Sequence, residues 1–353
     1  MRRPILLVVV ALLLAAVGAA PASAGPAGPF SRTVPSPPIK GTWERPFHAS
    51  TSVLFKENLF RLWYVSVPKE GGKNGVGYAA SSEGGTDWTT RSGAPLPGLF
   101  SNKPWDDGGI VDISVLFAEN RFRMYFTATN TSGRFRVGRA ISQDGLHWTT
   151  RQSPVWSGDT GEFSGNGPLQ LSVIFKGGKY RMWFAATNND GRGAIGYAAS
   201  TDGLSWNSQP EPVLTGRKGI PWEADFGLFQ PKALFDPAAN RYRLWYVGCC
   251  LQNDDPGDPF TTVNGFGVAS SSSAAGGWTH GSDVPVVPWD FTTNGQRDCD
   301  LQSPSVVLKG GTFRMLFVQF RYDESGDDCY VFQGGTLVET HFSTRILVGT
   351  APQ

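Results

Sequence analysis

Charged side chains are scarce in this chain. Asp, Glu, Lys and Arg make up 17% of its 353 residues, which argues against a disordered or long-helical protein. No basic patch stands out, and the formal net charge is +1. Nucleic acid and anionic membrane surfaces are therefore poor partners. There are only four His and four Cys. Neither a CxxC spacing nor a His cluster occurs, so metal ligation is the weaker reading of the cysteines and no metal ligands are assigned. After residue 24 no apolar run is long enough for a membrane helix.

The one long apolar run, Ile5 to Val17, lies behind Arg2 and Arg3 and ahead of Ala22-Ser23-Ala24. That order reads as a signal peptide cleaved after Ala24, with no lipidation Cys at Gly25. Of the 31 Lys and Arg, two belong to this leader, which leaves 29 against 30 acids. The expected mature protein is secreted, soluble and monomeric. It has a Pro-rich segment at 25–46 and one domain over 47–353. In an oxidising compartment Cys249, Cys250, Cys299 and Cys329 are expected to form two disulfides, with connectivity open.

What is abundant is Gly and Trp, 44 and 12 residues, a composition suited to short strands and tight turns. Five segments repeat one pattern: an apolar strand, a turn, then aromatic-Arg-apolar-aromatic. Their arginines are Arg61, Arg123, Arg181, Arg243 and Arg314. Self-similarity near a fixed period marks solenoids, propellers or arrays. The repeat is rich in β-branched and aromatic residues, without helical periodicity. A third strand follows, as in Ile195-Gly196-Tyr197-Ala198-Ala199-Ser200. Next comes an Asp-Gly turn and a Trp, as in Ser200-Thr201-Asp202-Gly203-Leu204-Ser205-Trp206. Asp-Gly is a strong hairpin signal, and the Trp opens a fourth strand. The expected fold is all-β: a five-bladed β-propeller with four-stranded antiparallel blades. Thr42-Trp43 is expected to supply the outer strand that closes the ring. The turns and repeated arginines are expected to be scaffold. Asn130-Thr131-Ser132 is a glycosylation sequon where the host modifies exported proteins.

Chemistry is sought where the inner strands enter the axis. In register, three residues before each strand triplet stand Ser50, Asp112, Gln170, Gln230 and Ser303. Two residues later come Ser52, Ser114, Ser172, Lys232 and Ser305. This period-two alternation suits an inner strand, and the serines suit crowding near an axis. Asp112 stands apart, because a charge there needs a partner or a task. The preceding loops carry Pro104-Trp105-Asp106, Pro221-Trp222-Glu223 and Pro288-Trp289-Asp290, with Asp107, Glu162, Asp225, Asp298 and Asp300 nearby. Carboxylates with aromatic rings are the make-up of a sugar site. The catalytic candidates are Asp112, Glu162 and Asp225, followed by Asp107, Glu223 and Asp298. The substrate-binding candidates are His48, Trp105, Gln170, Trp222, Gln230 and Trp289. No cofactor is required, and a structural cation on the axis is compatible with the pattern.

The order strand, Tyr180-Arg181-Met182-Trp183-Phe184, then Ile195 through Trp206 resembles the five-bladed propeller glycosidases, glycoside hydrolase families 43, 32 and 130. The likeness extends over residues 47 to 350. In family 43 it implies an inverting attack on arabinosyl or xylosyl linkages. That attack uses an Asp base in blade one, a pKa-tuning Asp in blade two and a Glu acid in blade three. Val111-Asp112-Ile113-Ser114 resembles the blade-two strand. Blade one carries His48 and Ser50 where the base would be. Blade three carries Leu169 and Gln170, with Glu162 upstream. The expected function is a glycoside hydrolase acting on a polysaccharide or oligosaccharide. The alternative is a non-catalytic carbohydrate-binding propeller. A sialidase reading would need an arginine cluster, for which Arg45 and Arg297 are the well-placed residues.

Overall fold

The computed structural model describes residues 30–353 apart from 32, 37, 92, 101–102, 159–166, 189–190, 225, 252–262, 288–297, 322–330, 334–335 and 339–342. At 46–47, 249–251, 263–264, 298–300, 320–321, 331–333, 336–338 and 343–345 only the backbone is described. The leader, the four cysteine side chains, Glu162, Asp225, Trp289 and the side chain of Asp298 thus fall outside the described parts.

The chain is nearly all β, and each sequence repeat becomes an antiparallel unit. Unit one orders β1 (Glu44–Lys56), β2 (Leu59–Pro68), β3 (Gly75–Ser81) and β4 (Thr89–Thr90). Unit two orders β5 (Gly109–Ala118), β6 (Arg121–Thr129), β7 (Phe135–Ser142) and β8 (Thr149–Thr150). Unit three contains β9 (Gln170–Lys176), β10 (Lys179–Thr187) and β11 (Gly193–Ser200). Both β12 (Asn207–Ser208) and β13 (Leu214–Thr215) pair with β11. A short helix, α1 (Pro221–Ala224), leads into unit four: β14 (Gly227–Asp236), β15 (Arg241–Leu251), β16 (Val263–Ser271) and β17 (Thr279–His280). Unit five pairs β18 (Asp298–Lys309) with β19 (Thr312–Arg321). After the hairpin β20 (Val331–Gln333) and β21 (Thr336–Val338), it adds β22 (Ser343–Pro352) on the far side of β19. A parallel bridge, Gly193 to Gly227, joins units three and four into one sheet. A Cβ on Gly227 would lie 2.0 Å from the Gly193 carbonyl oxygen, so this approach requires glycine.

The first strands of the units touch in cyclic order: β1 with β5, β5 with β9, β9 with β14, β14 with β18, and β18 with β1. The repeated arginines act between units. Arg61 lies over the Phe122 ring, Arg123 over Tyr180, Arg181 over Tyr242, Arg243 over Phe313, and Arg314 returns to Phe60, all within 5.8 Å. Each is a cation–π contact from one unit to the aromatic that opens the next aromatic-Arg strand.

The Asp-Gly turns add a second link. The Trp63 indole donates to the Gly145 carbonyl at 2.8 Å, and the Tyr125 hydroxyl to Gly203 O at 3.0 Å. Within each turn a Ser-Asp pair caps backbone amides. Asp202 accepts from Leu204 N at 2.8 Å and Ser205 N at 2.9 Å. These bonds hold its carboxyl down at about 2.

The closing strand differs from the expectation. Thr33, not Thr42-Trp43, bridges β22, with Thr33 N donating to Val348 O at 2.8 Å. Trp43 instead stays with unit one, its carbonyl accepting from Lys69 N at 2.9 Å. Phe30 is buried in the core shared by units four and five, and Ile39 in the core that links units five and one.

Candidate functional site

The polar positions on the inner strands form two hydrogen-bonded rings. In the inner ring each hydroxyl accepts from the backbone of the next unit. Ser52 Oγ accepts from Val115 N at 2.8 Å, Ser114 from Val173 N at 2.9 Å, Ser172 from Ala233 N at 2.9 Å, and Ser305 from Val53 N at 2.7 Å. The outer ring repeats the scheme. Ser50 accepts from Ile113 N at 3.2 Å, Asp112 Oδ2 from Leu171 N at 2.7 Å, and Ser303 from Thr51 N at 3.3 Å. Gln230 Oε1 accepts from Ser303 N. The exception is Gln170. The position in unit four that matches Ile113 and Leu171 is Pro231, which has no N–H, and Gln170 Oε1 is buried with no hydrogen-bond partner.

Bulges aim these side chains. The pairing of the inner strand slips at the outer-ring position in four units, at His48/Ser50, Ile110/Asp112, Phe229/Lys232 and Gln302/Ser305. Gln230 and Ser303 adopt left-handed backbone, φ 50° and 57°, an uncommon conformation for residues with a Cβ. Bulges recur beside active sites because they redirect a side chain.

Asp112 is the most connected member. It is 2% exposed. Besides Leu171 N it accepts from Ser50 Oγ at 2.5 Å, and Lys232 Nζ lies 3.7 Å from its Oδ1. Its task in this structure is to tie units one, three and four to unit two.

The two described Trp-acid loops, at Trp105 and Trp222, are also part of the scaffold. Trp222 stacks on Tyr246 at 6.1 Å and donates to Asp283 O; Trp105 stacks on Phe126 at 6.0 Å and donates to Gln152 O. Asp106 and Glu223 have no exposed surface. Glu223 takes both arms of Arg217 at 2.8 Å and the Tyr246 hydroxyl at 2.7 Å, with His280 Nδ1 3.6 Å away. Burial alone would raise its carboxyl, but these donors hold it at about 2. Asp107, partly exposed, caps Thr131 N at 2.9 Å.

Trp43-Glu44 is a further copy of the Trp-acid pair that the sequence reading missed, because no proline precedes it. Tyr64, which occupies the place of Tyr246, donates to Glu44 Oε1 at 3.0 Å, and Gly41 N donates to the same oxygen. Burial raises the Glu44 carboxyl above its usual range despite these bonds. His48 is buried, 5.2 Å edge-on from the Tyr64 ring. A search for an aromatic followed by an acid just ahead of an inner strand would have found this copy.

Two cavities bear on the site. One, of about 300 Å³, is lined by all five inner strands on the exit side of the serine ring, Lys232 included. The other, of about 580 Å³, lies where units three and four join. It is bordered by Arg192, Glu211, Lys218, Glu223 and the Gly193–Gly227 bridge. Of the catalytic candidates that are described, Asp107, Asp112 and Glu223, only Glu223 lines either one. Among the described residues, no group of three or more His, Cys, Asp or Glu is placed to hold a metal ion.

No protein-family model and no curated protein matches this sequence. Solved structures do match. A thermostable family-43 glycoside hydrolase aligns over 86% of this chain and 95% of its own, with a TM-score of 0.61 and 17% identity. A structure from the GH130 family, described as mannoside phosphorylases containing glycoside hydrolases that target β-1,2 mannosidic linkages in Candida mannan, aligns over 91% and 94%, with a TM-score of 0.61 and 16% identity. A glycosyl hydrolase from Bacteroides ovatus gives 91%, 94%, 0.61 and 15%. The fold is that of the β-propeller glycoside hydrolases, shared at low sequence identity.

Proposed function

We propose that the protein is a secreted glycoside hydrolase, built as a five-bladed propeller with four-stranded blades and acting as a monomer on a polysaccharide or oligosaccharide. Arabinosyl, xylosyl or other furanosyl linkages fit best. The observation that carries this reading is the fold shared with glycoside hydrolases over most of both chains. Hydrolysis needs one carboxyl to protonate the leaving oxygen and another to activate water or attack. Asp112 and Glu223 are committed to internal bonds. The reacting pair is therefore drawn from Glu162, Asp225 and Asp298, which lie ahead of or open the inner strands of units three, four and five. Asp112 acts as a positioning residue, with Asp107 in reserve and Gln170 and Gln230 at the mouth.

A screen of the purified protein against arabinan, xylan, fructan and mannan fragments tests this. Reducing sugar should appear with at least one of them. Glu162→Ala, Asp225→Ala or Asp298→Ala should lower kcat by about 100-fold or more, given the usual weight of an acid or base. The second reading, a non-catalytic carbohydrate-binding propeller, is favoured by the burial of Asp106, Asp112 and Glu223 in the scaffold. Glycan binding without sugar release, unchanged in the three alanine variants, would establish it in place of hydrolysis.

A further inference from the structure

Unit four breaks the inner serine ring. Where the other units carry Ser52, Ser114, Ser172 and Ser305, it carries Lys232, only 6% exposed. The inner-strand neighbours of β14 belong to units three and five. Yet the Lys232 ammonium donates to Ile113 O of unit two at 3.0 Å as well as to Leu171 O of unit three at 3.4 Å. A side chain rooted on the fourth inner strand that bonds the second must cross the space the five strands enclose. There it meets the Asp112 carboxylate at 3.7 Å. Two carbonyl oxygens and a carboxylate converging on one point are the ligands of a cation, and leaving them without one is costly in a dry interior.

We propose that Lys232 is the tethered cation of an axial coordination site formed by Asp112, Ile113 O and Leu171 O. Its ammonium balances the Asp112 charge and joins units two, three and four from the centre, where a free ion would otherwise be needed. Burial pushes the amine below the usual lysine range, while Asp112 opposes that shift. The inference does not depend on the glycosidase reading, since it concerns what holds the axis together.

Truncation at Cβ tests it by freeing the site. Lys232→Ala removes three methylenes and the ammonium, which together correspond to one n-propylammonium ion. The axial chamber of about 300 Å³ that Lys232 lines gives such an ion a way in. Thermal unfolding of the full chain is followed in sodium chloride and in n-propylammonium chloride at equal ionic strength. Lys232→Ala should melt roughly 5–15 °C below the parent, as expected when one partner of a buried pair is removed from a domain of this size. Propylammonium should restore at least half of that loss, saturably, while leaving the parent unchanged. Lys232→Met, which fills the space without charge, should melt low and gain nothing. Pairing it with Asp112→Asn should raise the melting temperature above that of Lys232→Met alone.

The proposal is overturned if Lys232→Ala and Lys232→Met melt within about 2 °C of the parent, a shift too small for a lost buried pair. It is also overturned if propylammonium does no more for the Ala variant than sodium does. Should Lys232→Ala fail to fold, the comparison of Lys232→Met with the double variant decides. A double variant no more stable than Lys232→Met, or equally unfolded, rules out the charge pairing.

Discussion

At the scale of single residues, Glu44 and Glu223 show how one motif acquires opposite electrostatics. Each follows a Trp, and each accepts from the Tyr at the same place in its unit. Glu223 has Arg217, and its carboxyl sits near 2 in the fold. Glu44 has backbone and hydroxyl donors, and burial raises it. The linkage signs follow. A depressed carboxyl stabilises the fold above its unfolded pKa, and that contribution is lost as pH falls, here from about 4.5 through about 2. A raised carboxyl stabilises below its unfolded pKa and loses that contribution as pH rises through its folded value. Glu223→Gln should therefore cost about 3 kcal/mol at pH 7, the lower end for a broken buried pair because Arg217 keeps some access to water. It should also flatten the stability loss between pH 4.5 and 2. Glu44→Gln, which keeps an acceptor for Tyr64, should leave stability at pH 7 unchanged or raise it. Urea unfolding of both variants from pH 2 to pH 8 checks the two signs, and a parallel response would refute the contrast.

At the scale of elements, the periodicity made the strands legible, because an inner strand must alternate and an aromatic-Arg strand must present rings to its neighbour. The Asp-Gly turns were legible as hairpins. Their second role was not, because the partner of Gly145 is Trp63 of the preceding unit, 82 residues away. The same distance in sequence hid the task of Asp112. Its oddity in the ring is visible from composition, but its partners Ser50, Leu171 and Lys232 come from three other units. Trp105 and Trp222 looked like sugar platforms because an aromatic beside an acid reads alike in a site and in a scaffold. Only the rings they stack on separate the two roles. The turn lock gives a direct prediction. Gly203 has φ 68°, and a Cβ there would lie 2.2 Å from the Tyr125 hydroxyl. Gly203→Ala should cost more than about 1 kcal/mol, beyond the strain of the left-handed backbone alone. Tyr125→Phe, which keeps the ring and drops the bond to Gly203 O, should cost about 1 kcal/mol. Chemical denaturation of the two variants measures the difference.

At the scale of the whole molecule, the question is what keeps unit five against unit one. Within the described residues that joint is crossed by a shared apolar core, by the Thr51 hydroxyl donating to Ser303 O at 2.7 Å, and by polar and cation–π contacts. Ser303 and Ser305 accept from the backbone of β1, Arg314 covers Phe60, and Lys309 lies 4.3 Å from the Phe55 ring. None is a backbone ladder between the two units, unlike the parallel bridge between units three and four. Residues of the N-terminal segment contact both sides of this joint. Phe30, 5% exposed, packs among Phe266, Phe317 and Leu347 side chains of the unit-four and unit-five core, Thr33 pairs with Val348, and Ile39 enters the core beside Val53 and Leu316. Such a strap acts locally where the joint is the first part of the ring to open. Phe30→Ala should then cost about 3–5 kcal/mol, the range for a buried Phe, and Ile39→Ala about 2–5 kcal/mol. Hydrogen exchange should show where that cost falls. Loss of protection in β1 and β22, with β6 and β10 unchanged, is the expected pattern for a ring that opens at one joint. Uniform loss across all five units would mean that the strap acts on global stability and that the joint between units five and one is no weaker than the rest.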